Sequence, residues 1–126
     1  MHRSLKAYIA GLVAVCALAL AVTSLVIPVD ESIRLRVFED VQADVLAGTL
    51  FWMAITLLAS ALPMTMPRGS VVSTSIAPLV VAMSLCGPTA AGWIALIGVT
   101  ELREMRREVP LHGTLANHAG LAIPAI

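Results

Sequence analysis

The stretch Ser84–Trp93, SLCGPTAAGW, places a Gly-Pro pair in the middle of a long apolar region. Glycine can end a helix in a left-handed conformation without a steric penalty, and proline fits the first turn of a helix. The pair therefore either kinks one long helix or turns the chain between two short ones. This choice decides how often the chain crosses a bilayer and on which side its charges lie.

The composition is typical of a membrane protein. Of the 126 residues, 59% are hydrophobic and 13% are charged, and the mean hydropathy is +0.92. Soluble domains carry about 25% charged residues. The length allows one small domain, which spans 1–126. The formal net charge of zero gives no overall attraction to nucleic acid, so we predict no nucleic-acid partner.

Charged residues fall in clusters, and the uncharged gaps between them define the candidate membrane spans. The first two gaps, 7–29 and 45–67, are 23 residues long. A helix needs about 20 apolar residues to cross a bilayer. The alternative for the first gap is a cleaved signal peptide after the basic segment HRSLK. Apolar sequence continues beyond Ala21, so we expect a retained span.

The third gap, 69–100, has 32 residues and is too long for one straight span. As a helix it would measure about 48 Å, against a hydrocarbon core of about 30 Å. A turn at Gly87 and Pro88 leaves arms of 16 and 13 residues, each shorter than a usual span. Length alone does not decide between the two models.

The positive-inside rule separates the two models. With a turn at Gly87-Pro88 and a cytoplasmic N-terminus, six basic residues lie inside and two outside; a single span gives three inside and five outside. The six are Arg3, Lys6, Arg68, Arg103, Arg106 and Arg107. We therefore predict a turn.

These arguments predict an all-α membrane bundle with four spans and a partial fifth, at about 7–29, 45–66, 70–86, 88–100 and 111–126. The N-terminus is expected in the cytoplasm of a bacterium whose inner membrane holds the chain. Residues 30–44 are predicted as a short solvated helix or one lying on the membrane surface. The abrupt apolar ending at Ile126 suggests a fragment of a longer protein.

No motif for catalysis, nucleotide binding or metal ligation occurs in the sequence. We therefore predict no enzyme activity, no catalytic residue, no cofactor and no metal. Cys16 and Cys86 fall at different membrane depths, which predicts packing roles and no mutual disulfide.

Glu101 and Glu104 could pair with neighbouring arginines, and Arg103, Arg106 and Arg107 could contact anionic lipid headgroups. A cytoplasmic topology signal is the interpretation that we prefer for the loop that contains them.

Polar residues within apolar segments are the remaining candidates for a site. They are Ser73, Thr74, Asn117 and His118. A polar side chain inside a membrane raises the question of function, but hydrogen bonding between helices explains it more simply. Small residues give two further surfaces for helix packing: the alanines 10, 14, 17 and 21, and the run from Gly87 to Gly98.

The region Leu62–Gly120 resembles the N-terminal membrane sensor regions of bacterial signalling enzymes, notably HD-GYP cyclic-di-GMP phosphodiesterases and diguanylate cyclases. A glycine- and serine-containing start leads to an apolar stretch broken at Gly-Pro, and a later helix begins with an apolar residue and asparagine. The matching positions are Gly69, Ser70, Ser73, Gly87, Pro88, Ala91 and Asn117.

The resemblance implies a membrane anchor and sensory input domain, with a cytoplasmic signalling domain beyond Ile126 as partner. The bilayer and a second copy or other membrane helices are the remaining expected partners. The helical layout is also similar to substrate-binding membrane subunits of vitamin transporters. A small accessory membrane protein that acts through helix packing alone is a third alternative.

Overall fold

The computed structural model describes residues 3–29, 31–62, 64–65, 67, 71–72 and 74–126. Within these residues the regular secondary structure is α-helical, apart from a short 3-10 helix and one pair of two-residue antiparallel strands. The α-helices are α1 (Arg3–Val26), α2 (Val41–Ser60), α3 (Ile76–Gly98), α4 (Leu102–Met105) and α5 (Leu111–Ala125); the 3-10 helix is Glu31–Ile33, and the strands are β1 (Met64–Thr65) and β2 (Val71–Val72). The predicted all-helical class is confirmed.

Three helices in the described part of the chain, α1, α2 and α3, are long and apolar enough to cross a membrane. They contain 24, 20 and 23 residues. A membrane location is therefore indicated by the structure as well as by the composition. The fifth helix, α5, has 15 residues and measures about 22 Å.

Helix α3 is broken at Gly87. Its backbone angles there are φ 72° and ψ 172°, a combination essentially restricted to glycine. Pro88 follows and begins the second arm, where its missing N–H is not needed. The break separates two arms, residues 76–86 and 88–98, of about 16 Å each.

The two arms of α3 fold back on each other. The Thr74 hydroxyl donates to the carbonyl of Ala59 at 2.7 Å, and the Ser60 hydroxyl lies 3.0 Å from the carbonyl oxygen of Gly98. Both ends of α3 therefore lie beside adjacent residues of α2. A straight helix would hold them about 33 Å apart. We name this level of the bundle the Ser60 end, and the opposite level the Gly87 end.

The other helices are positioned around this hairpin by contacts at the Gly87 end. Thr89 donates to the carbonyl of Ile27, just beyond α1, at 2.7 Å, and the Trp93 indole N–H donates to Ser24 of α1 at 3.0 Å. Ser32 donates to the carbonyl of Leu85. Helix α1 therefore runs antiparallel to the second arm of α3, whereas α2 runs parallel to it.

The centre of the bundle is built from small side chains. Fully buried alanines lie on both arms of α3 and on α5, and they allow the backbones to approach closely. They include Ala82, Ala90, Ala91, Ala95 and Ala122. In contrast, alanines 10, 14, 17 and 21 of α1 are exposed, and α1 packs through Ile9, Cys16 and Leu20. Both cysteines are buried, and they are not joined in a disulfide.

The segment between α1 and α2, which we call the connector, does not form the helix predicted over 30–44. Asp44, in the first turn of α2, binds the backbone of the connector instead. Its fully buried carboxylate accepts the backbone N–H groups of Arg36, Val37 and Phe38 at 2.7, 2.9 and 3.2 Å. The Arg34 guanidinium lies 3.3 Å away. Arg36 adopts a φ of 58°, which a helix does not allow. Among the described residues between α1 and α2, Glu31–Ile33 is the only helical turn.

Two predicted boundaries shift at the Ser60 end. The second span was expected to continue to residue 66, but α2 ends at Ser60. The third was expected from residue 70, but α3 begins at Ile76, after β2 has paired with β1. The Thr74 hydroxyl also lies 3.2 Å from the Leu62 carbonyl oxygen, so a side chain replaces helical hydrogen bonding there.

Replacing Gly87 by alanine tests the break in α3. The φ of 72° places a Cβ in a strained conformation, and we expect Gly87→Ala to lower the free energy of unfolding by about 1–3 kcal/mol. Gly11→Ala is the matched control, because no atom lies within 4 Å of the added methyl group. Thermal unfolding in detergent measures both variants. Equal stability of the two would contradict the strained turn.

Candidate functional site

The C-terminal end of α3 is a meeting point of several elements. The last carbonyl groups of a helix have no partner within that helix. Here the Leu96 carbonyl accepts from His118 of α5 and the Ile97 carbonyl from the Thr100 hydroxyl at 2.7 Å. The Ser60 hydroxyl of α2 lies 3.0 Å from the Gly98 carbonyl and 3.0 Å from the Thr56 carbonyl of its own helix, so the two carbonyls share its hydrogen. Three consecutive carbonyls are therefore bonded by side chains from three different parts of the chain.

Glycine at position 98 allows α2 to reach this site. A Cβ on Gly98 would lie 2.8 Å from the Cβ of Thr56 and 3.3 Å from the carbonyl oxygen of Met53. The absence of a side chain brings Ser60, one turn after Thr56, within hydrogen-bonding distance of the α3 terminus. The contact between α2 and α3 is consequently a close backbone packing, fixed at its end by a hydrogen bond.

A buried acid and a histidine complete the site. Glu104 Oε2 of α4 lies 2.9 Å from His118 Nε2, and the two side chains are 5% and 13% exposed. The same oxygen accepts the backbone N–H of Glu101 at 3.1 Å. The pair therefore joins the segment after α3 to the middle of α5. We define Glu104, His118 and the Leu96 carbonyl as the Glu-His cluster.

The partners of the imidazole determine where its hydrogens lie. A carbonyl oxygen can only accept, so His118 Nδ1 carries a hydrogen and donates it to Leu96. The contact between Nε2 and Glu104 then needs one more hydrogen, on the ring or on the carboxyl group.

No family model, curated protein or solved structure matches this chain. Among the residues that the structure describes, no three His, Cys, Asp or Glu side chains are grouped closely enough to hold a metal ion.

A second feature is an apolar groove at the Gly87 end. It encloses about 590 Å³ between α2, the connector and the Trp93 ring of α3. Glu31 and Gln42 supply polar groups at the groove, and the rest of its lining is mainly aliphatic. Its size is within the usual range for small-molecule sites, about 300–1,000 Å³.

The structure separates the polar residues that the sequence placed in one group. His118 belongs to the Glu-His cluster, and Thr74 joins the start of α3 to Ala59. Asn117 is exposed on α5. Ser73 lies outside the described residues, as do Gly69 and Ser70 of the resemblance. The predicted group is therefore divided between two places at the Ser60 end and the exposed surface of α5.

The expected pairing of Glu104 with an arginine is wrong. Its carboxylate faces His118, while Arg103 pairs with Glu108 at 3.6 Å on the surface. Sequence reasoning missed this pair because the two residues are 14 positions apart and belong to different helices. Its only signal was a histidine within an apolar segment that follows a loop with charged residues of both signs.

Removal of the Ser60 hydroxyl tests the joint between α2 and α3. We expect Ser60→Ala to lower the free energy of unfolding by about 0.6–1.7 kcal/mol, the range for hydrogen bonds between membrane helices. Ser84→Ala is the control, since the exposed Ser84 hydroxyl bonds only to its own helix, at Val80, among the described contacts. Unfolding in detergent would contradict the joint if both variants lost the same stability.

Proposed function

We propose that the chain is the membrane-anchoring and sensory input domain of a bacterial signal-transduction protein, and that it has no catalytic activity of its own. The observation that carries this proposal is the joining of three helices and a charged loop at the end of α3. A shift of α2 or α5 would move the bonded carbonyls, and with them the segment that contains Glu104. Small helix displacements of this kind are an established form of signal transmission.

The distribution of charge supports an orientation with the Ser60 end in the cytoplasm. Arg3 and Lys6 lie at this end of α1, and the loop after α3 brings three more basic residues to it, namely Arg103, Arg106 and Arg107. The described basic residues at the Gly87 end are Arg34 and Arg36. Arg68 lies outside the described residues. By the positive-inside rule the N-terminus is then cytoplasmic.

In this orientation the chain crosses the inner membrane four times, with α5 as a partial fifth span. The α3 hairpin supplies the third and fourth crossings. Because each arm measures about 16 Å, the bilayer must thin around the hairpin, or the neighbouring helices must cover its turn. Both ends of α3 return to the same side in either case.

The resemblance to the sensor regions of HD-GYP phosphodiesterases and diguanylate cyclases supports the signalling role. It implies an output domain beyond Ile126 and a second copy or other membrane helices as partners. Within the described residues the resemblance is carried by Gly87, Pro88, Ala91 and Asn117, of which Asn117 is exposed on α5. Two of these form the turn, and Ala91 is buried in the centre of the bundle.

The apolar groove at the Gly87 end favours a second candidate function, the substrate-binding subunit of a vitamin-type transporter. The groove has the volume of a small-molecule site and polar groups at Glu31 and Gln42. A vitamin retained through detergent purification, and lost when Trp93 is replaced by alanine, would favour this function over signalling.

The orientation can be measured by cysteine labelling in intact cells. We expect Phe38→Cys to react with a membrane-impermeant maleimide, because its side chain is exposed at the Gly87 end. Arg106→Cys should react only after the cells are permeabilised. Both variants are made with Cys16 and Cys86 replaced by alanine. Labelling of Arg106→Cys in intact cells would reverse the proposed orientation.

The signalling role can be measured in the natural full-length protein. We expect Ser60→Ala to change the cellular level of cyclic-di-GMP several-fold, because it loosens α2 from the end of α3. Ser84→Ala is the control and should leave the level unchanged. If Ser60→Ala inserts normally into the membrane and the level matches that of the control, the sensory function is contradicted.

A further inference from the structure

We propose that the Glu-His cluster is a proton-operated latch, which holds α4 against α5 while one proton is bound between Glu104 and His118 and releases α4 when that proton is lost. The latch is a property of the fold. Its use as a signal input, with the proton as the stimulus, rests on the function proposed above.

The geometry makes the contact depend on a single proton. Leu96 fixes one ring hydrogen on Nδ1, so a neutral imidazole presents a lone pair at Nε2. A Glu104 carboxylate 2.9 Å away would then place two acceptors in contact with no hydrogen between them. A carboxylate that is 5% exposed has little access to water and cannot recover its lost hydrogen bond without moving.

The described polar contact of α4 with another helix is the one between Glu104 and His118. Helix α4 contains four residues, far fewer than an isolated helix needs for stability in water. Its Arg103 and Met105 side chains are exposed, and Arg103 is paired with Glu108 of its own loop. Glu104 is therefore the described polar side chain that joins α4 to α5, whereas Met105 lines a groove with Leu57 and Leu58 of α2. Loss of the imidazole partner frees α4 on the side that faces α5.

Few other titratable groups face the pair from the surrounding elements. Helix α1 contributes the Cys16 thiol, which lines a small apolar cavity together with His118. Lys6 lies farther along α1, in a groove that it shares with His112. Helices α2 and α3 contribute Ser60 and backbone carbonyls at this level. Within the described neighbourhood, Glu104 is thus the acid that faces the imidazole.

The direction of the response follows from the charges. At low pH the imidazolium and the carboxylate attract each other, and the proton bound between them closes the latch. At high pH the proton leaves, and Glu104 is then a buried anion without a cationic partner, whose remaining described hydrogen bond comes from the Glu101 N–H. Movement of α4 toward water then stabilises that anion. Acid closes the latch and alkali opens it.

The latch can be tested by distance measurement in nanodiscs. Spin labels at Met105→Cys and Leu115→Cys, both exposed positions, report the separation of α4 from α5. Cys16 and Cys86 are replaced by alanine. Between about pH 5 and pH 8, the range over which an imidazole changes charge, we expect the distance to lengthen by about 5 Å, one helical turn. A distance that does not change with pH would overturn the proposal.

Two variants in the same labelled chain identify the responsible group. The amide of Glu104→Gln can donate to a neutral imidazole, so the latch should stay closed and the pH response should disappear. Glu108→Gln, an exposed acid of the same loop, should keep the full response. A response that persists in Glu104→Gln would overturn the proposal.

A second measurement covers the case in which Glu104→Gln does not fold. Nitrogen NMR of His118 in the unmodified chain should show hydrogens on both ring nitrogens in the closed state and on Nδ1 alone in the open state. Hydrogen on Nε2 alone would overturn the proposal. These measurements need no output domain, so their failure is distinct from an unchanged cyclic-di-GMP level.

Discussion

The fold depends on the backbone conformation of Gly87. With a φ of 72° and Pro88 directly after it, the chain ends one helix and begins another without an intervening loop. The two arms return to the same end of α2, where Thr74 and Gly98 are bonded to adjacent residues. This reversal brings the charged segment after α3 to the level at which α1 begins. The distribution of arginines between the two ends of the bundle follows from it.

The polar groups at each end have a common physical reason. A helix end within or near a membrane has carbonyl or N–H groups that water cannot reach, and each unsatisfied group is costly. At the Gly87 end the carboxylate of Asp44 accepts three backbone N–H groups of the connector. At the Ser60 end the hydroxyl of Ser60 and the imidazole of His118 bond α3 carbonyls. No buried side-chain nitrogen or oxygen in the described residues lacks a partner. The carbonyl groups at the end of α3 need hydrogen-bond donors, and one of these donors, His118, forms a titratable pair with Glu104.

The sequence predicted the features that depend on apolar length and on local backbone chemistry. The helical class and the membrane-length helices follow from uncharged runs, and Gly-Pro indicated where the third run could turn. The connector was predicted incorrectly because its apolar spacing suits a helix, whereas Asp44 accepts the N–H groups of residues 36–38 that such a helix would bond to its own carbonyls. The Glu-His cluster was not predicted, since it depends on the packing of α5 against the second arm of α3. Contacts of that kind come from tertiary structure and leave no periodic pattern in the sequence.

The most direct test of the account is the distance between the two ends of α3. Spin labels at Ile76→Cys and Ile97→Cys, both exposed, are placed in a chain whose native cysteines are replaced by alanine. The account predicts a separation clearly below 30 Å, because both labelled positions lie at the Ser60 end. A straight helix of the same residues would give about 32 Å. A measured distance near that value in nanodiscs would show that the chain does not reverse at Gly87, and the proposed arrangement of charges and cluster would be contradicted.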